Sequence, residues 1–175
     1  MRSMTIDDSL RDAIGNQFGA AAEMLDNAIA ACPDPLWDDG SGLHAFWYLA
    51  FHALFWLDLY LSGSVEGFAP PAPFTLAELD PAGLLPDRTY TKVELRGYLA
   101  HCRRRLREAI ASLAPQTAAR RCRFGWGEAG YLELLLYNMR HVQHHAGQLN
   151  LLLRQSAGSA PRWVARGGRG PAGSC

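Results

Sequence analysis

Two histidines in this chain of 175 residues, His141 and His145, stand four apart in the text RHVQHHAGQ. On a helix that separation puts one imidazole a turn above the other, with Cβ atoms about 5–6 Å apart. Two neutral imidazoles so placed converge on one ion at Zn–N distances of about 2.0–2.1 Å. His144 points about 100° away from His145 and does not join them. A third ligand has to come from another segment, and the apolar run Leu43 to Leu61 offers His44 and His52. These lie roughly 12 Å apart along a helix axis, so one ion cannot take both. His52 sits among Leu49, Phe51, Leu54 and Phe55, where packing is tightest, whereas His44 falls in the first turn. The favoured set is therefore His52, His141 and His145. Burial pushes imidazoles toward the neutral form, which is also the form that binds metal. The same spacing suits core histidines with satisfied hydrogen bonds, and on these residues alone both readings stand.

The rest of the chain offers no competing metal signature. It contains no HExxH, and no Glu is followed three residues later by His, which disfavours a ferritin-like di-iron centre. Gly168, Gly170 and Gly173 match GxGxxG, but they lie in a Gly-rich tail with no strand before them and no helix after. Lys plus Arg balances Asp plus Glu at 17 each, so nothing favours nucleic acid or an anionic membrane as a general partner. The four cysteines, Cys32, Cys102, Cys122 and Cys175, form no CxxC pair and read as thiols of a cytoplasmic protein. The polar start of the chain is no secretory signal. The run Leu43 to Leu61 is long enough to span a bilayer, but His44, His52 and Asp58 argue for a buried helix of a soluble protein instead.

Four helices have to position the histidines. Leu10, Ile14, Phe18, Ala21, Leu25 and Ile29 recur at spacings of three and four and predict a helix from about residue 8 to 31, ended by Pro33 and Pro35. A second helix, roughly 42–61, is apolar nearly all round, with Ser41 as N-cap and Ser62 and Gly63 as its stop. Residues 63–90 hold five prolines and no sustained period, a long irregular connection. Thr91 and Glu94 then form a capping box for a third helix running to about Leu113, with Val93, Leu95, Leu99 and Leu106 on its buried side. Arg103, Arg104, Arg105 and Arg107 read as a solvated face with acidic neighbours such as Glu108. After a loop the fourth helix runs from about 128 to 155, and no segment reads as a strand. The fold expected is all-α: a four-helix bundle with a long crossover between its second and third helices. Residues 1–156 form this domain, and 157–175 form a Gly/Arg-rich tail, poorly ordered unless Trp163 and Val164 dock.

The text RHVQHHAGQLNLLLRQ, Arg140 to Gln155, closely resembles the last helix of the DinB/YfiT-like metalloprotein superfamily, and YLAFHALFWLDLYL, Tyr48 to Leu61, is similar to its first histidine segment. The resemblance covers the chain to about Gln155. It implies a four-helix bundle, commonly a homodimer, in which His52, His141 and His145 bind one divalent metal, most often zinc or nickel, with iron and manganese also open.

Three histidines with an open fourth position make a catalytic rather than a structural site. Members of the family look like thiol S-transferases, a thiol-dependent isomerase and hydrolases. The leading expectation is thus a metal-dependent enzyme acting on a small-molecule substrate, the ion activating water or a low-molecular-weight thiol for attack on an electrophile. Tyr48, one turn before His52, and Gln148, near the His141 face, are candidates to orient a ligand or the substrate, or simply core residues with one hydrogen bond each. No general base is evident. The alternative is a non-catalytic metal-binding stress or interaction protein, with the fourth position sealed by Phe55, Trp56 and their neighbours.

Overall fold

The computed structural model describes residues 8–40 and 45–167. Its long helices are α1 (Asp8–Ala31), α3 (Phe46–Ser62), α4 (Lys92–Ala111) and α6 (Tyr131–Ala157), with short helices α2 (Asp34–Trp37) and α5 (Pro115–Ala119) in the connections. α1 packs on α4 and α6, and α3 packs on the same two, so α1 and α3 stand diagonally across the bundle. The all-α bundle expected from periodicity is the fold observed. Among the described residues no helix is long and apolar enough to cross a membrane. His44, Ser41, the glycines of GxGxxG and Cys175 lie outside the described residues, and α3 opens at Phe46 with Ala45 at its N-cap, not at 42 behind Ser41 as expected.

Each long helix follows from its text. α1 buries Ile14, Phe18, Ala21, Leu25, Ala28 and Ile29, the apolar stripe that its spacing demands. α4 opens on a capping box in which the Thr91 side chain accepts from the Glu94 amide and the Glu94 carboxylate accepts from the Thr91 amide. α3 ends where Gly63 takes a left-handed φ of 76°, a conformation that disfavours any residue with a Cβ. α3 is buried all round except along one stripe: between Phe46 and Leu61 only Leu49, His52 and Trp56 are partly open. That stripe becomes the floor of the site.

Four further expectations need correction. The loop before the last helix holds an antiparallel hairpin, β1 (Arg121–Phe124) and β2 (Gly127–Gly130), paired from Arg121 with Gly130 to Phe124 with Gly127. Its strands are too short to show a sustained period, although Cys122 and Phe124 point in while Arg121 and Arg123 point out. Consequently α6 starts at Tyr131 rather than 128. Val93 is 82% exposed, because it sits in the first turn of α4, where the buried stripe begins only at Leu95. The arginine face of α4 is also not simply solvated: Arg96 and Arg103 pair with Asp26 of α1, and Arg105 pairs with Asp58, a fully buried residue of α3.

The long connection is anchored by aromatic side chains. Phe74 stacks on Tyr98 with centroids 4.4 Å apart and also meets Phe51 and Tyr90, while Phe68 meets the edge of Phe55. Held in this way, the connection lays a single 3-10 turn, Ala77–Leu79, along the molecule. At the other end the tail docks in part. Val164 packs on the core, the Gly167 amide donates to the Asn16 carbonyl at 2.8 Å, and Trp163 stays 69% exposed. Gly167 approaches α1 so closely that a Cβ would lie 2.5 Å from the Gly19 carbonyl carbon.

Asp58 ties α3 to α4, accepting from Tyr98 at 3.1 Å and from Arg105. A buried carboxylate without these donors, or the donors without it, would be left desolvated and unpaired. Because Arg105 keeps contact with water, Asp58→Ala is expected to lower stability by about 2–3 kcal/mol, below the range for a fully buried pair. Urea denaturation followed by circular dichroism measures it, and a loss under about 1 kcal/mol would show the tie to be dispensable.

Candidate metal centre

His52, the partly open position of α3, meets α6 where His141 and His145 project from successive turns. One ligand-capable atom from each of these three residues lies within 4.8 Å of the others. The ring centroids of His52 stand 4.8 Å from His145 and 5.5 Å from His141. The Nε2 atoms of His141 and His145 are 3.1 Å apart. Four ligands placed tetrahedrally at Zn–N distances of about 2.0–2.1 Å are separated by about 3.3 Å, so this pair already has the spacing of two ligands on one ion. His144 is exposed and lies outside this group, its ring meeting the edge of His145 at 5.1 Å.

Two hydrogen bonds decide which nitrogen of each ring faces inward. His52 Nδ1 lies 2.7 Å from Glu78 Oε2, and His145 Nδ1 lies 2.7 Å from Gln148 Oε1. Both partners are acceptors, so both Nδ1 atoms donate, and in the neutral rings both Nε2 atoms carry a lone pair. Those lone pairs face the shared centre. In the third ring, His141 Nδ1 is buried without a hydrogen-bond partner. No partner of Nδ1 fixes the His141 tautomer: with Nε2 protonated the ring donates to His145 Nε2 in the metal-free chain, and with Nδ1 protonated it turns a third lone pair to the same point, the donor set that suits a cation.

Glu78 is the residue that spacing did not reveal. It rides on the 3-10 turn of the crossover, and its side chain is 4% exposed. Its carboxylate accepts from His52, from Tyr48 Oη at 2.5 Å and from Trp56 Nε1 at 2.9 Å. Tyr48, His52 and Trp56 recur every fourth residue, so α3 presents three donors on one face, and a single carboxylate answers all of them. That stripe of donors in an apolar helix was the available signal. Glu66, Glu78, Asp80 and Asp87 in the crossover were all able to answer it, and only the folded path selects Glu78. Tyr48 therefore bears on the centre through Glu78, while Gln148 touches His145 directly.

Electrostatics follow from this packing. Burial, reinforced by the neighbouring His145 and His52, lowers the His141 pKa to about 3. Burial and then His52 lower His145 to about 4, against an opposing contribution from the Gln148 bond. Burial pushes Glu78 upward, but its bond and charge interaction with His52 and the donors Tyr48 and Trp56 outweigh that, so it titrates below the ordinary carboxylate value. Burial and the Glu78 contact raise the Tyr48 phenol, which stays protonated and donating. At neutral pH His141 and His145 are neutral, close to an ionised Glu78 carboxylate.

Toward the hairpin the wall of the centre is aromatic. Tyr60 meets His141 edge-on at 6.0 Å, Tyr137 stands beside Tyr60, and Trp126 stacks on Tyr137 at 4.6 Å. A groove of about 430 Å³, lined by Tyr137, Arg140, His141 and His144, runs from this wall to the third histidine.

The family model of the DinB superfamily matches residues 17–149, a span that contains α3, the crossover with Glu78 and the His141–His145 pair of α6. No curated protein matches the sequence.

The depressed histidines set the acid stability of metal-free protein. In the unfolded chain they take up protons near pH 6.5, whereas the folded chain resists until about pH 4 and 3. Stability is therefore complete above about pH 7 and falls as pH drops through 6.5, the unfolded state being the better proton acceptor. Glu78, depressed in the fold, adds a further loss below the ordinary carboxylate range. Between pH 7 and 5 the loss should be on the order of 1–2 kcal/mol per buried histidine. Chelator-treated protein unfolded in urea across this range measures it, and His141→Ala should flatten the profile; a flat wild-type profile would contradict the buried neutral state.

Proposed function

The chain belongs to the DinB superfamily, and on that premise we propose that His52, His141 and His145 hold one divalent transition metal, zinc or nickel, at the centre of an enzyme. One observation carries the reading: Glu78 and Gln148 each occupy an Nδ1 and thereby turn two imidazole lone pairs onto a single point. A metal held by these three histidines would lower the pKa of water or of a small thiol enough to make a nucleophile near neutral pH.

The side chains around it have separate tasks. Glu78 holds the His52 ring in one tautomer and one orientation, and Tyr48 and Trp56 hold Glu78. Gln148 does the same for His145. The aromatic wall keeps one side of the centre dry, while the groove at His141 gives a small molecule a way in. An open approach supports an enzyme over a sealed, non-catalytic metal-binding protein, since Phe55 is buried and Trp56 is turned onto Glu78. We assign it a reaction in which a low-molecular-weight thiol or water attacks an electrophile. The buried, unpaired thiols Cys32, Cys102 and Cys122 suit a reducing compartment such as the cytoplasm. The homodimer implied by the family resemblance belongs to the same proposal, and sedimentation velocity decides it.

Elemental analysis of untagged protein tests the centre. Wild type should carry about one equivalent of zinc or nickel, or take it up, and His52→Ala and His145→Ala should not. Glu78→Gln should still bind, but about 10–100-fold more weakly, because the orienting charge on His52 is gone. A wild type that cannot be loaded would overturn the reading. In loaded protein, turnover of a thiol with an electrophile such as 1-chloro-2,4-dinitrobenzene, absent in His145→Ala, is the expected first activity.

A further inference from the structure

Among the described residues three buried side-chain polar atoms lack a hydrogen-bond partner: Asn138 Oδ1, His141 Nδ1 and Asn150 Oδ1. Native folds hold few such atoms, and each has to be accounted for. Two of the three are near neighbours. Asn138 and His141 stand three apart on α6, which puts their side chains side by side on successive turns. Asn150 is turned about 180° from His141 around the same helix and cannot answer it. Asn138 Oδ1 is a fixed acceptor: the residue is fully buried, and its Nδ2 donates to the Leu57 carbonyl of α3 at 3.0 Å. A carbonyl only accepts, so the amide nitrogen is committed to Leu57 and the lone pairs of Oδ1 are left unused. His141 Nδ1 is a conditional donor. When His141 gives its Nε2 lone pair to an ion, the proton of the neutral ring can only be on Nδ1, and a buried donor without an acceptor is costly. α6 already meets this need once, where His145 Nδ1 finds Gln148 Oε1, also three residues away, at 2.7 Å.

We propose that Asn138 is the positioning residue of His141, its Oδ1 accepting the Nδ1 proton of the ring whose Nε2 holds the metal. This deepens the metal centre proposed above and rests on that reading. Each of the three histidines then has an orienting acceptor of its own: Glu78 for His52, Gln148 for His145 and Asn138 for His141. The bond belongs to the loaded protein. In the metal-free chain His141 Nε2 can keep the proton and donate to His145 Nε2, 3.1 Å away, and Nδ1 then has none to offer. That accounts for both atoms being unpaired together. The ring is neutral in either tautomer, and only the place of its proton differs. The acceptor therefore contributes to metal binding rather than to folding.

Asn138 also braces α3 against α6 through Leu57, and two substitutions separate the roles. Asn138→Ala and Asn138→Asp both lose the donor to Leu57, but only Asn138→Ala loses the acceptor. Urea denaturation of chelator-treated protein checks that both fold. Zinc affinity, measured by competition with a chromophoric chelator, should fall about tenfold or more in Asn138→Ala and recover most of that loss in Asn138→Asp. In zinc-loaded wild type the His141 ring N–H should give a downfield, hydrogen-bonded proton resonance, which moves upfield in Asn138→Ala. Equal weakening in both variants, wild-type affinity in Asn138→Ala, or no downfield resonance in wild type would overturn the proposal. Normal zinc uptake with any of those results removes only the role of Asn138, whereas a wild type that takes up no zinc removes the metal centre itself.

Discussion

A carboxylate taken almost out of water has to be repaid in hydrogen bonds, and Glu78 is where this protein meets that constraint. Its side chain is 4% exposed and receives three donors, all from one face of α3. Leaving any one of them unpaired would cost free energy on the scale of a desolvated polar group, roughly 1–3 kcal/mol. The interaction therefore does two things at once. It pins the crossover turn to the bundle, and it sets the tautomer and direction of His52. The aromatic anchors Phe68 and Phe74 hold the rest of the crossover, so the carboxylate arrives at its donors from a braced segment and not from a free loop.

The second helix of the site uses a more local device. On α6, His145 is oriented by Gln148 from the next turn, an interaction built into the helix itself. His141 has no such partner for Nδ1 and is the most strongly depressed of the buried imidazoles. One histidine is thus oriented across the fold, one along its own helix, and one by packing against Tyr60 and its two fellow histidines. Such a centre is preorganised before any ligand arrives, and the neutral state of His141 and His145 follows from the same burial that makes the metal-free protein acid-sensitive.

A second buried carboxylate, Asp58, meets the same constraint about 120° around α3 from His52, by position along the helix. There Tyr98 and Arg105 supply the donors, and the product is a brace between α3 and α4 instead of a site. The contrast is instructive. Glu78 gathers a histidine that has a free ring nitrogen aimed elsewhere, whereas Asp58 is answered by a phenol and a guanidinium that end at the carboxylate. The aromatic hairpin supplies the remaining feature, a Trp126–Tyr137 stack that stands behind Tyr60 at the edge of His141.

Much of this was legible without the fold. The four long helices rest on a period of three to four residues, the Thr91–Glu94 capping box on two residues three apart, and the His141–His145 pair on one helical turn. Each is a local property, written within a few residues of chain, and local geometry is nearly the same in every helix. Choosing His52 over His44 also followed from its place in the most apolar part of α3. Tertiary structure alone decided what lies far apart in the chain. Glu78 lies 26 residues from His52 in the chain and reaches it from within the aperiodic connection, where nothing in its surroundings distinguishes it from Glu66, Asp80 or Asp87. Arg105 finds Asp58 at a separation of 47 residues, the four-residue strands carry too little alternation to announce themselves, and Val93 is exposed because the bundle meets α4 one turn later. Periodicity determines which face of a helix is apolar; which other segment that face meets depends on how the whole chain closes, and that choice has no local signature.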